Sequence, residues 1–271
     1  MTQDTVQAIA HPTDFSEASF EAFAHALRLA LEYRCRLDIL HVRSLTGNEE
    51  WASFPRVRET LARWGLLSRD AAPSEIEEKL GVKVRKIAIE HRDPSQGVAG
   101  FLIAHRSDLV VMATRGAQRL NLWLSDSISA DIAQNTQMPA LFLGPKARPF
   151  VDSKTGALHL RNLVVPVAHH PAPQRALSLL NRLFAKFPVN QRFVHAGGAS
   201  FELTGPAGEP LNVHTLEGPI VETIVSAANT LLADLLAMPT EGRNGFLDAL
   251  RGSTTEQVLQ RAPCPVLALP A

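Results

Sequence analysis

Met112-Ala113-Thr114-Arg115-Gly116, nine residues, Asp126-Ser127 and, further on, Met138-Pro139-Ala140-Leu141-Phe142-Leu143 form a pattern that this chain carries twice. Its second occurrence is Met238-Pro239-Thr240-Glu241-Gly242, nine residues, Gly252-Ser253 and then Cys264-Pro265-Val266-Leu267-Ala268-Leu269. Gly116 and Gly242, Ser127 and Ser253, and Pro139 and Pro265 all stand 126 residues apart, so the match needs no gap. Self-similarity of this length is the mark of a duplicated domain. The starts of the copies agree. Ile9-Ala10-His11-Pro12-Thr13-Asp14 matches Leu163-Val164-Val165-Pro166-Val167-Ala168, and Leu40-His41-Val42 matches Val194-His195-Ala196, both at a spacing of 154. The second copy is therefore 28 residues shorter, and the loss falls after its second strand.

The 271 residues suffice for two domains of ordinary size, each with its own core. The expected domains are 1–147 and 159–271, with a linker over 148–158, where Pro149 and Gly156 interrupt a stretch of no clear period. A hydrophobic fraction of 45%, a charged fraction of 20% and a formal net charge of zero fit a soluble globular protein. They speak against a nucleic-acid partner, which calls for a basic excess. The start, Met1-Thr2-Gln3-Asp4, is polar, and no apolar run approaches the ~20 residues of a membrane helix. A cytoplasmic protein with no membrane contact is expected. Cys35 and Cys264, one per copy, suit reduced, buried thiols.

Along the first copy, aliphatic runs at 6–13, 36–43, 82–90, 108–114 and 140–143 read as strands buried on both faces. Ser16 offers an N-cap to a helix carrying Ala22, Ala26, Leu29 and Ala30 at helical spacing. Further helices are expected at 55–67, 73–80, 94–105 and 127–135. The second copy reads as strands at 160–167, 192–196, 211–215, 231–238 and 265–269, with helices at 174–187, 220–230 and 253–261. A stretch rich in Gly, Pro and Ser, 197–210, stands where the first copy has its second helix. Alternation of this kind predicts a parallel sheet with right-handed crossovers and helices on both faces.

These residues resemble the universal stress protein family over nearly the whole chain. The resemblance rests on Pro12-Thr13-Asp14-Phe15-Ser16, on the loops from Gly116 to Ser127 and from Gly242 to Ser253, and on Cys264-Pro265-Val266-Leu267. It implies an α/β fold of two doubly wound five-stranded parallel-sheet domains in tandem, of the adenine-nucleotide alpha hydrolase-like type. It also implies that the last strands, 140–143 and 265–269, pair antiparallel in an intrachain pseudo-dimer, covering two edges that otherwise invite aggregation. Whether whole chains pair further into a homodimer stays open.

Some members of the family bind ATP or AMP, and others bind no nucleotide. Carried over residue by residue, the resemblance implies binding positions at Pro12, Thr13, Asp14, His41, Met112, Gly116 and Ser127 in the first copy. In the second it implies Val167, Met238, Gly242, Gly252, Ser253 and Thr254, with magnesium accompanying ATP. A loop that leaves a strand and enters a helix aims backbone N–H groups and a helix N-terminus at phosphate oxygens. Both copies depart from the pattern. Ala113 and Pro239 replace its first Gly, Asp126 replaces a Gly beside Ser127 and would repel an anion, and Ala168 stands where the first copy has Asp14. The acid thus sits in one copy and the better phosphate loop in the other, so nucleotide is expected mostly at the second. Plainer roles exist, with Asp14 helping Ser16 cap a helix and Gly252-Ser253 simply starting one.

His169, His170, His195 and His214 fall near the carboxyl ends of strands in the second copy and, with Glu217 or Glu241, would suit a zinc site. His195 has a counterpart in His41, which favours a structural role. No Gly-x-Ser-x-Gly elbow, P-loop lysine or Ser, His and Asp order is evident, so catalysis beyond slow ATP hydrolysis is not expected. Asp93 is expected to cap the helix that begins at Pro94. Trp51, Phe54 and Trp64 lie in the stretch absent from the second copy and are expected to form an amphipathic cover or contact surface. The favoured reading is a stress-response regulator that holds an adenine nucleotide. Its rivals are a scaffold that recruits a protein partner, and a zinc or small-ligand binder at the histidine-rich edge.

Overall fold

The computed structural model describes residues 6–43, 53–114, 138–240 and 254–271. The first copy contributes β1 (Ala8–Pro12), α1 (Glu17–Tyr33), β2 (Arg36–Arg43), α2 (Val57–Arg63), α3 (Glu75–Leu80), β3 (Val84–Glu90), α4 (Pro94–His105), β4 (Leu109–Ala113) and β5 (Ala140–Leu143). The second contributes β6 (Asn162–Pro166), α5 (Gln174–Phe184), β7 (Asn190–Ala196), β8 (Leu203–Thr204), β9 (Pro210–Leu211), β10 (Val213–Leu216), α6 (Ile220–Thr230), β11 (Leu235–Thr240), α7 (Thr254–Arg261) and β12 (Val266–Pro270). The helix expected at 127–135 lies outside the described residues.

Ten strands form one sheet in the order β10-β7-β6-β11-β12-β5-β4-β1-β2-β3. Within each half every pairing is parallel, and the halves meet where β5 and β12 run antiparallel, with Leu141 opposite Leu267 and Phe142 opposite Val266. The inner strands β1, β4, β5, β6, β11 and β12 are buried on both faces, which is why they read as unbroken aliphatic runs. One face is covered by α1, α2, α3 and α5, the other by α4, α6 and α7. No described helix is long and apolar enough to cross a membrane.

The duplication extends to individual hydrogen bonds. Asp108 Oδ2 accepts from the backbone N–H groups of Gln7 and Ala8 at 2.8 and 3.1 Å. Its counterpart Asp234 accepts from Arg161 and Asn162 at 2.8 and 2.9 Å. Each aspartate ties the start of one half's first strand to its fourth. Thr114 and Thr240 likewise donate to Leu143 O and Leu269 O.

The copies differ between their second and third strands. In the first, Phe54, Val57, Leu61, Trp64 and Ile76 close the core from above, so the expected amphipathic cover is formed by Phe54 and Trp64. Trp51 lies outside the described residues. In the second, 197–210 folds into the hairpin β8–β9, which inserts Leu203 into the core. Residues 148–158 form a strap rather than a loose tether. Phe150 and Val151 are buried, Val151 bridges to Leu158, and the N–H groups of Phe150 and Val151 both donate to His25 Nε2 at 3.2 Å. Trp64 Nε1 donates to Ser153 O at 3.1 Å, and Arg148 N donates to Pro263 O at 2.8 Å.

Candidate functional site

Parallel strands present their carboxyl ends at one rim of the sheet, and open α/β folds collect ligands there. In the second half β6, β7 and β11 end around a cavity of about 540 Å3. Pro166, Val167 and Ala168 form one wall, Met238, Pro239 and Thr240 another, and Ile220 and Ile224 of α6 the roof. Thr254 and Thr255, at the start of α7, complete this part of the lining. The structure therefore gathers three residues expected from the sequence: Val167, Met238 and Thr254. Gly242, Gly252 and Ser253 lie outside the described residues.

The chemistry of the cavity is mixed. Its lining combines aliphatic side chains with threonine hydroxyls and a helix start, and no carboxylate is among the described residues that line it. The aliphatic residues suit an aromatic ring and the helix start an anionic group. Magnesium would find no protein carboxylate in this lining and would be held by the ligand's own phosphate oxygens.

Ala196, Ile220, Ile224 and Pro171, which were not among the expected site residues, complete the lining together with His170, expected there as a zinc ligand. Ile224 looked like ordinary core. Ile220 gave a weak signal, an isoleucine in the first turn of a helix where the first copy has Ser95. It remains 53% exposed, available to lie against a ligand.

In the first half Pro12, Thr13 and Asp14 leave β1 in a tight local network. Thr13 Oγ1 accepts from Phe15 N and Ser19 Oγ at 3.1 and 2.9 Å, and Asp14 Oδ1 accepts from Ser16 N at 3.0 Å. Ser16 Oγ accepts from Ser19 N, the expected N-cap. Asp14 thus shapes the turn into α1, the plainer of its two expected roles. Asp93 Oδ1 similarly accepts from Gln96 N at 3.3 Å at the start of α4.

The His41 ring lies apart from Met112. Its Nδ1 donates to Thr13 O at 2.8 Å, and its ring stacks on Phe15 with centroids 4.0 Å apart, on the face that α1 and α2 cover. Met112 belongs to the core of the opposite face. Strand side chains alternate between faces, so the His41 ring and Met112 do not meet in one site. Gly116 and Ser127 lie outside the described residues. His195 repeats the role of His41, donating from Nδ1 to Val167 O at 2.9 Å and stacking on Phe201.

The zinc expectation is corrected. The ring centroids of His169 and His195 lie 6.2 Å apart beside Phe201. His214 pairs in register with Val194, the neighbour of His195, and so projects from the other face. His170 lines the carboxyl-edge cavity, while His214 lines a separate cleft beside α6. Among the described residues no group of three or more His, Cys, Asp or Glu could hold a metal ion. The two cysteines are buried free thiols, and burial pushes both up to about 12.

Comparison with known proteins agrees with this architecture. The model of the "Universal stress protein family" matches residues 5–143 and 185–270. A universal stress protein of Methanocaldococcus jannaschii is 26% identical over 142 residues, covering 51% of this chain and 82% of the relative. One of Thermus aquaticus is 31% identical over 110 residues, covering 40% and 77%. The crystal structure of a universal stress protein from Archaeoglobus fulgidus superposes with a TM-score of 0.63 at 20% identity, covering 98% of this chain and 97% of that one, a likeness of fold. Doubled motif, paired half-sheets and matched family model together place the chain in the universal stress protein family.

Proposed function

We propose that this protein is a cytoplasmic stress-response regulator that binds an adenine nucleotide, ATP or AMP, in the second half. The observation that carries this reading is the cavity at the ends of β6, β7 and β11, lined by both aliphatic side chains and a helix start. Val167, Ile220, Ile224 and Met238 offer apolar surface to a base, while Thr254 and Thr255 offer hydroxyls near a helix start to a phosphate. Its volume, about 540 Å3, suits a ligand of nucleotide size. The same rim of the first half carries Asp14, already engaged in the turn to α1, and is the weaker candidate.

Calorimetric titration of nucleotide-stripped protein with ATP and with AMP, in magnesium, tests the proposal. Ala168 is half-buried at the cavity mouth, so Ala168→Trp fills the cavity without touching the core. Micromolar binding that weakens at least roughly tenfold in this variant is the expected result. Binding unaffected by Ala168→Trp moves the site to the first half, and no heat with either nucleotide rejects the reading.

A further inference from the structure

Helices α2 and α3 belong to the first half alone, and neither candidate nucleotide position uses them. Against β3 they leave a cleft of about 630 Å3. Its floor is apolar and buried: Phe54, Val57, Ile76 and Val82. Its rim carries Arg56, Arg58, Lys83 and Lys86 against Glu59 and Glu77. Glu59 is already paired with Arg56 at 3.0 Å, and Arg58 donates to Ala71 O at 3.0 Å, which fixes its guanidinium at the rim.

Lys86 occupies an unusual place. The register of β3 on β2 sets Val84 beside Leu37 and Lys86 beside Ile39, both β2 residues being fully buried, so alternation calls for an apolar residue at 86. On the other face of β3, Arg85 is met by the buried carboxylate of Asp38 at 2.6 and 2.8 Å. Lys86 has no carboxylate partner among the described residues, and its ammonium lies 6.0 Å from the Phe54 ring centroid. Lys86 is exposed at the rim, and partial loss of hydration there, followed by the nearby Arg56 and Arg58, holds its pKa below the usual lysine range. Four cationic side chains meet only two carboxylates here, which leaves a net positive charge above an apolar floor. An anion would balance it, with the Lys86 point charge and the remaining N–H groups of the Arg58 fork as its donors.

We propose that the cleft between α2, α3 and β3 binds a small organic anion that carries a phosphate group on an apolar body. An edge-strand lysine can also serve merely to discourage sheets from pairing edge to edge, and the test separates the two roles. Phenyl phosphate and inorganic phosphate are titrated against the full chain carrying Ala168→Trp, so that the other cavity is filled, and against the same chain with Lys86→Met added. Phenyl phosphate should bind roughly tenfold more tightly than inorganic phosphate, because only it covers the floor. Lys86→Met should weaken phenyl phosphate by roughly tenfold, with the circular dichroism spectrum and melting temperature unchanged. Equal affinity for the two phosphates overturns the proposal. So does Lys86→Met that self-associates while binding phenyl phosphate as before. Binding to phosphatidic acid vesicles without binding to phenyl phosphate assigns the charge to a lipid surface and also overturns it.

Discussion

His25 ties the strap between the two halves to α1 through one nitrogen. Its Nδ1 donates to Glu21 O at 2.8 Å, which leaves Nε2 as the acceptor for the N–H groups of Phe150 and Val151. The ring must be neutral to do this, and burial takes its pKa from 6.5 down to about 4. His11, buried and donating to Val111 O, is lowered to about 4 for the same reason. Between pH 6.5 and about 4 the unfolded chain binds protons that the folded chain refuses. Stability is therefore complete above pH 6.5 and falls as pH drops towards 4, by about 3 kcal/mol for each histidine. Urea unfolding across that range should show the loss. His25→Leu should cost about 2–5 kcal/mol at pH 7 by stranding two buried N–H groups, and should flatten the pH slope by one proton. An unchanged slope would remove His25 from this account. The sequence did not disclose this role, because the partners lie 125 and 126 residues away. Ser16 and Asp93 were legible because the N–H groups they cap lie three residues on.

Elements were legible where composition and punctuation agree. The reading placed β2 at 36–43 and α6 at 220–230, and the structure has Arg36–Arg43 and Ile220–Thr230. Aliphatic density defines the first, and Pro219 before an apolar period starts the second. The hairpin β8–β9 escaped notice because its strands have two residues each, too few to show an alternation. The second helix was expected at 55–67 but ends at Arg63, since Gly65 turns the chain with a φ of 72°. The cavity roof escaped for another reason: Ile224 satisfies the core pattern whether or not a ligand touches it. Strands β2 and β3 depend on a charge as well as on apolar contact. Asp38, fully buried, accepts from Arg36 at 3.0 Å and from Arg85 at two positions. Asp38→Ala should lower stability by about 2–4 kcal/mol, less than a fully enclosed pair would lose, because both arginines can reach water. A urea midpoint within error of the parent would refute this.

The described residues of the whole molecule share their core across the joint between the halves. Leu141, Leu143, Leu267 and Leu269 share one buried cluster with α1 and α5, and Phe142 and Val266 share the cluster on the opposite face. Unfolding one half would expose the joint of the other, so scanning calorimetry should show a single transition whose calorimetric and van 't Hoff enthalpies agree. Two resolved transitions would contradict it. The antiparallel joint has a further consequence. It turns one half end over end, so the carboxyl ends of the two half-sheets lie on opposite rims, separated by the span of a five-residue strand, roughly 17 Å. A small molecule seated at one rim could not touch one seated at the other, so ligands at the two rims would be held by separate heads rather than by a clamp. Two identical chains joined in this way would inherit every substitution twice, once at each head. A single fused chain inherits it once, and Asp14 at one rim can coexist with Ala168 at the other.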